Sequence, residues 1–192
     1  MAEIATLRLP DRHPWLRVAD SSWVGPLDPG WAGHRGGRWN PPGSFPVLYL
    51  NENLATARAQ LHRLLGGWPA NPEDLREDAP FVLIVAGLPD RQAVADALTD
   101  AGLQGLGLPA SYPLDARGTP IGHQRCQPIG CAVHRAGLRG VWCRSAHTSH
   151  GSGRELAWFP AGPRSRARSL TGPVPFATWW FAESVPHLTS AH

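Results

Sequence analysis

The segment from residue 35 to residue 50 constrains the fold more than any other part of the sequence. A loop rich in Gly and Pro, which also carries Arg38, Trp39 and Asn40, runs into the short apolar segment Val47–Leu50. A brief apolar run that follows such a loop is typical of a buried strand. An alanine-rich segment comes soon afterwards. The order of loop, strand and helix therefore predicts the floor and rim of a ligand site.

The loop itself supports two interpretations. Glycines allow the backbone to approach a ligand closely, and Arg together with Trp can hold a phosphate and stack on a flat ring. On this interpretation Arg38, Trp39 and Asn40 are cofactor-binding residues. The alternative is a surface loop whose tryptophan covers the core. These residues alone leave both interpretations open.

The segment Leu54–Leu65 is predicted to be a helix. Its apolar residues recur at helical spacing, Asn53 is a suitable N-cap, and Gly66-Gly67 ends the pattern. Gln60 falls on the inward face of this helix. A buried amide without a partner is costly, so Gln60 is expected to have hydrogen-bond partners.

The remaining pattern predicts a mixed α+β fold. Strands are expected at residues 15–18, 81–86, 140–143 and 155–159, and helices at residues 91–101 and 127–136. The stretch from Gly102 to Gly122 is long and rich in Gly and Pro, which favours a mobile lid.

Composition limits the class of protein. The 192 residues suit a single domain spanning 1–192, without an apolar run long enough to cross a membrane or an evident signal peptide. Three cysteines, an odd number, favour a cytoplasmic location over a disulfide framework. All 18 basic residues are Arg, and they are dispersed except in the segment from Arg164 to Arg168, so direct nucleic-acid binding is not expected.

Two further patterns contain residue types found in metal or catalytic sites. His123, Cys126, Cys131 and His134 have ligand types that zinc uses, but the spacing is tighter than in the usual zinc fingers, and no metal is expected. Serines and histidines between residues 145 and 152 suggest a small serine hydrolase, although the G-x-S-x-G motif is missing. The hydrolase stays an open alternative.

Arg17, Arg38, Tyr49 and Gln60 form a more coherent set. If the strands that carry Arg17 and Tyr49 pair, both arginines can face one cleft, with Tyr49 at its floor and Gln60 beside it. Arginines bind pyrophosphate, and aromatic rings stack on bases. The alternative is a core tyrosine beside two solvated arginines.

The sequence also resembles the RES domain family. The resemblance rests on three segments: Gly36-Gly37-Arg38-Trp39-Asn40-Pro41-Pro42 with Val47–Leu50, Cys126–Gly130 with Gly140–Ala146, and Arg154–Phe159. It covers about residues 12–160, and the first segment is the most specific. The family comprises toxins of bacterial toxin–antitoxin pairs.

The resemblance implies a compact α+β domain related to ADP-ribosyltransferases, with mixed or antiparallel sheets and flanking helices. It implies NAD as the substrate and cleavage of the nicotinamide–ribose bond by hydrolysis, phosphorolysis or ADP-ribosyl transfer. Carried over by motif, Arg17 and Arg38 bind the phosphates, Tyr49 lines the nicotinamide pocket, and Gln124 and Ser145 close the site.

One departure from the family pattern affects the chemistry. The family usually has Glu where this sequence has Gln60, and the charge of that Glu would favour the oxocarbenium-like transition state. Glu52 or Glu155 could supply the carboxylate instead. Otherwise the chain is weakened, or it is a catalytically silent NAD-binding module. An engineered Glu-to-Gln exchange would give the same sequence.

The resemblance further implies a protein partner, an Xre-type antitoxin that covers the site. Such a partner requires exposed apolar and aromatic side chains around the cleft. The candidates are Trp23, Trp31 and the pair Trp179-Trp180. The sequence also leaves a homo-oligomer open.

Overall fold

A computed structural model describes residues 4–66, 71–148 and 151–185. Gly67, Ser149 and His150, which figured in the predicted helix end and in the hydrolase alternative, lie outside these ranges. None of the helices in the described ranges is long and apolar enough to cross a membrane.

Eight strands form one mixed sheet within the described residues. They are β1 (Thr6–Arg8), β2 (Trp15–Asp20), β3 (Leu48–Asn51), β4 (Phe81–Gly87), β5 (Ala93–Ala97), β6 (Gly140–Arg144), β7 (Arg154–Trp158) and β8 (Arg168–Ser169). Their order is β1-β5-β6-β7-β3-β2-β4-β8. Among these eight described strands, β5 and β6 pair in parallel, and the other neighbours are antiparallel.

Five α-helices flank this sheet in the described ranges. They are α1 (Gly30–Arg35), α2 (Leu54–Leu65), α3 (Asp100–Gly105), α4 (His123–Arg135) and α5 (Phe176–Trp180). Helix α2 has the predicted bounds, and Asn53 caps it by accepting the Thr56 N–H at 2.9 Å. The predicted α+β class with flanking helices is therefore confirmed.

The predicted helix over residues 91–101 is wrong. Residues Ala93–Ala97 form β5, and a helix begins only after Thr99, whose side chain caps α3. Alanine-rich composition favours a helix locally, but β5 pairs with β1 on one side and β6 on the other. Two ladders and full burial outweigh the small helical preference of alanine.

The stretch from Gly102 to Gly122 is not a mobile lid. Leu103, Leu108, Tyr112 and Ile121 are all buried in the same apolar cluster as Trp39 and Val133. The segment is long because it wraps over the core rather than because it is free to open. Buried apolar side chains along its length hold such a segment in place.

Helix α4 starts earlier than predicted, at His123 rather than at residue 127. Gly122 is its N-cap, and Pro128 lies inside the helix. A proline there sacrifices one backbone hydrogen bond but does not stop the helix in this packed setting. The earlier start makes His123 the first residue of the helix.

Candidate functional site

The predicted pairing of β2 with β3 exists but is very short. Leu16 and Asn51 are the single register pair that joins the two strands. Where the strands diverge, Nη1 of Arg17 donates to the carbonyl oxygen of Tyr49 at 3.0 Å. The guanidinium of Arg17 therefore occupies a gap in the sheet where a ladder hydrogen bond would otherwise lie.

A cavity of about 280 Å³, here called the site cavity, opens beside this gap. It is lined by Arg17, Val18, Trp31, Ala32, Gly36, Gly37, Arg38, Tyr49, Leu50, Asn51, Gln60, His123, His147 and Glu155. The four residues that the sequence grouped, Arg17, Arg38, Tyr49 and Gln60, all line it. Asn51, His123, His147 and Glu155 join them.

Strand geometry explains why several of these side chains meet. Tyr49 and Asn51 are alternate residues of β3, so they share one face of the sheet. Glu155 of β7 is the register partner of Asn51 and therefore lies on that face as well. Gln60 reaches them from α2, where its Oε1 accepts the Asn51 Nδ2–H at 2.6 Å.

The floor of the cavity is held by Tyr49. Its hydroxyl accepts the backbone N–H of Trp39 at 2.9 Å and donates to Oδ1 of Asn40 at 2.8 Å. Burial raises the pKa of Tyr49 well above its ordinary value, so the phenol stays protonated. A Cβ at Gly37 would overlap this ring, which explains the glycine there.

Both arginines are cations without an acidic partner within the described residues. Burial lowers the pKa of Arg17 to about 10, so it remains charged at pH 7. Its Nε is buried, with no hydrogen-bond partner in the described ranges. Arg38 is half-buried and donates to the carbonyl oxygen of Ile121 at 2.7 Å. Uncompensated guanidinium groups of this kind suit an anionic ligand.

The same cavity contains a carboxylate. The side chain of Glu155 is only 13% exposed, and it accepts a short hydrogen bond from Oγ of Ser145. Nε2 of His147 lies 3.8 Å from Oε1 of Glu155. Burial lowers the pKa of His147, although Glu155 opposes that shift, and the imidazole is therefore neutral at pH 7.

Four other predicted site residues do not line the cavity. Trp39 and Asn40 are buried behind it, where Asn40 bonds Tyr49 and donates to the Ala32 carbonyl at 2.6 Å. Gln124 is exposed on α4, while its neighbour His123 reaches the cavity. Ser145 is fully buried and contacts the site through Glu155.

The proposed partner surface divides into two kinds of tryptophan. Trp23 and Trp31 are 47% and 60% exposed, and both line a second cavity beside the first. Trp179 and Trp180 pack with Phe176 in the core below α2, so the prediction that this pair is exposed is wrong. A short apolar run near the end of the sequence does not indicate that Trp179 and Trp180 pack against α2 and β4.

The remaining sequence patterns have structural explanations. The thiol of Cys126 is buried, and the ring of His134 stacks on Phe45 with centroids 4.0 Å apart. Across the described ranges, no three His, Cys, Asp or Glu side chains form a group that could hold a metal ion. All three cysteines are free thiols.

Comparisons with known proteins bear on the fold and the family. A sequence model of the RES domain matches residues 12–179. A chain in the crystal structure of the M. tuberculosis MbcT–MbcA toxin–antitoxin complex superposes with a TM-score of 0.65 and 21% identity, covering 88% of this chain and 86% of that one. At this identity the match shows a shared fold. No curated protein matches the sequence.

Proposed function

The chain belongs to the RES domain family, and on that premise we propose that it binds NAD in the site cavity and cleaves the nicotinamide–ribose bond. The observation that carries the proposal is the pairing of two uncompensated arginines with a buried carboxylate in one cavity. The cations suit the diphosphate. The carboxylate suits positive charge that develops on the ribose.

The arginines provide binding. Arg17 and Arg38 are proposed to hold the diphosphate, and the fixed position of Arg17 on the Tyr49 carbonyl lowers the entropy lost on binding. The N-terminus of α4, where His123 lines the cavity, adds a favourable partial charge for phosphate. Tyr49 and Gly37 provide a flat floor on which the nicotinamide ring can lie.

Glu155 is proposed as the carboxylate that stabilises the transition state. The C–N bond to nicotinamide breaks with its electron pair, which neutralises the leaving ring and leaves oxocarbenium-like charge on the ribose. A buried carboxylate beside that carbon lowers the barrier. The acceptor is water, phosphate or a protein side chain, and its proton leaves as the new bond forms. Ser145 fixes the orientation of Glu155 by donating to it.

Gln60 supports a second proposal, a silent NAD-binding module. Its amide is bonded to Asn51 and carries no charge, so the Gln60 position cannot supply the electrostatic stabilisation that a Glu would. The two proposals differ in whether Glu155 replaces the missing charge. The serine hydrolase has less support, because Ser145 is buried and donates to a carboxylate instead of pairing with a histidine base.

The partner is proposed to be an Xre-type antitoxin that covers the cavity mouth. The exposed Trp23 and Trp31 beside the cavity support this, since exposed aromatic side chains are common at interfaces. Co-expression with an Xre-type protein from the same operon should give a complex that elutes as one species in size-exclusion chromatography. Separate elution of the two proteins would contradict the proposal.

The decisive experiment combines turnover with ligand stabilisation. Wild-type protein should release nicotinamide from NAD, and NAD should raise its melting temperature by mass action. Arg38→Ala should lose most of that rise, while Arg164→Ala, which removes an exposed arginine outside the cavity, should keep it. Binding without nicotinamide release would favour the silent module. Equal responses in the two variants would remove Arg38 from the site.

A further inference from the structure

A second cavity adjoins the site cavity and contains two exposed tryptophans. This tryptophan cavity has a volume of about 560 Å³, and its lining includes Trp23, Trp31, Asp28 and Arg17. Arg17 and Trp31 also line the site cavity, so the two spaces share a wall of two side chains. A ligand that extends past Arg17 from the site cavity would enter the tryptophan cavity.

The tryptophans are positioned by nearby cations. The guanidinium carbon of Arg17 lies 5.9 Å from the ring centroid of Trp23, and that of Arg35 lies 5.0 Å from the ring of Trp31. Cation–π contacts of this length restrict the orientation of each indole. About half of each side chain stays exposed nevertheless. Two oriented, exposed indoles beside one cavity form a surface on which a flat ring can stack.

The site cavity by itself is small for a dinucleotide. Cavities that enclose ligands of drug size usually measure about 300–1,000 Å³. The site cavity, at about 280 Å³, suits one ring with its sugar. Of the two cavities, Trp23 and Asp28 line only the tryptophan cavity, and Tyr49 and Glu155 line only the site cavity. Arg17 lines both. A dinucleotide with one base in each cavity would therefore place its diphosphate beside Arg17.

The polar groups of the tryptophan cavity favour a base over a phosphate there. Oδ1 of Asp28 accepts the N–H of Gly30 at 2.9 Å, and Oδ2 has no hydrogen bond within the described residues. A carboxylate repels phosphate oxygens but accepts hydrogen bonds from an amino group. Adenine has such an exocyclic amino group and a π-face on each side of its ring.

We propose that the tryptophan cavity is the adenine site, in which Trp23 and Trp31 stack on the adenine ring and Asp28 accepts from its amino group. The proposal rests on the proposed NAD activity. It makes the two tryptophans specificity-determining residues, because they would select the whole dinucleotide over the nicotinamide nucleotide alone.

The test compares NAD with nicotinamide mononucleotide, which has the same scissile bond but lacks the adenylate half. Trp23→Ala should raise KM for NAD about tenfold, since losing one stacked base commonly has an effect of that size. Its kcat should change little. Because Trp23 lines only the tryptophan cavity, both kinetic constants for the mononucleotide should stay as in wild type, and Trp23→Phe should restore much of the NAD affinity. Trp31→Ala, which alters both cavities, should also raise KM for NAD.

The control is Phe181→Ala, which removes an aromatic ring that is 72% exposed and lines neither cavity. It should leave KM and kcat unchanged for both substrates. Equal losses for NAD and the mononucleotide, or no loss for either, would overturn the adenine site. If wild type releases no nicotinamide, the proposed cleavage fails by itself. The same comparison, made on dissociation constants of the two nucleotides, then decides the adenine site separately.

Discussion

Two largely buried carboxylates, Asp96 and Glu155, lie in different surroundings. Asp96, 5% exposed at the end of β5, accepts the N–H groups of Leu98 and Thr99 at 2.8 and 3.0 Å and the Thr99 hydroxyl at 2.5 Å. Glu155 accepts one side-chain hydrogen bond, from Ser145, and faces the site cavity. Asp96 faces a helix end that packs directly against it.

The contrast lies in unused hydrogen-bonding capacity rather than in burial. A carboxylate has about four acceptor positions, and three of those on Asp96 are used by one turn. A Cβ at Gly102 would overlap the Asp96 side chain, so no ligand can approach from α3. Glu155 keeps free acceptor positions beside a cavity. Burial with saturation therefore marks a structural acid, and burial with spare capacity marks a candidate functional one.

Glu155→Gln should have the largest effect on activity. The change keeps the size of the side chain and an oxygen that can accept from Ser145, but it removes the charge. Loss of a well-placed electrostatic group commonly slows turnover about a hundredfold or more. Nicotinamide release should fall by that factor, while the melting temperature changes little. Unchanged turnover would mean that the free acceptor positions of Glu155 have no catalytic role.

Asp96→Ala should show the opposite pattern. It leaves two backbone N–H groups and a hydroxyl near α3 without their acceptor, which should lower the free energy of unfolding by about 2–3 kcal/mol. Turnover at saturating NAD should not change. Urea denaturation measures the loss. Asp115→Ala is the matched control, because Asp115 also accepts two backbone N–H groups but in an exposed turn, where water can replace it. A similar loss at Asp115 would contradict the argument from burial.

Gln60→Glu should increase the rate of nicotinamide release, by a smaller factor than Glu155→Gln decreases it. The Asn51 Nδ2–H that now donates to Gln60 can donate to a carboxylate without rearrangement. We expect nicotinamide release to rise about tenfold, less than the effect at Glu155, because Glu155 already supplies one charge. Host growth should also suffer more when this variant is expressed. A variant that binds NAD with no faster turnover would favour the silent module.

The smallest expected effect is on the pH dependence of stability. It should arise beside Glu155, which has His147 as a neighbour. Burial lowers the pKa of His147 beside Glu155, so the unfolded chain takes up this proton more readily than the folded one. Stability from neutral His147 is complete above the ordinary histidine pKa of about 6.5 and is lost as pH falls below it. His147→Gln should flatten this fall in denaturation measurements, and Asp96→Ala should not. An unchanged slope in His147→Gln would assign the effect to His123 and His134, whose pKa values burial also lowers.

The fold was predictable where a segment has one clear hydrophobic pattern, either a continuous apolar run or a helical period. Phe81–Gly87 has a continuous apolar run, and α2 has a clear helical period with a cap at either end, so both were predicted within a residue or two. Ala93–Ala97 was not, because short alanine-rich runs suit both helix and strand. Its two neighbouring strands come from residues 6–8 and 140–144, far away in sequence.

The sequence by itself determined the RES motifs and the grouping of Arg17, Arg38, Tyr49 and Gln60, since short-range patterns and residue chemistry carry that information. Only the tertiary structure decided which buried polar groups have partners. Glu155 faces the cavity because register places it opposite Asn51. Trp31 stays exposed while Trp179 is buried. These outcomes depend on contacts between residues distant in the chain, which no local pattern specifies.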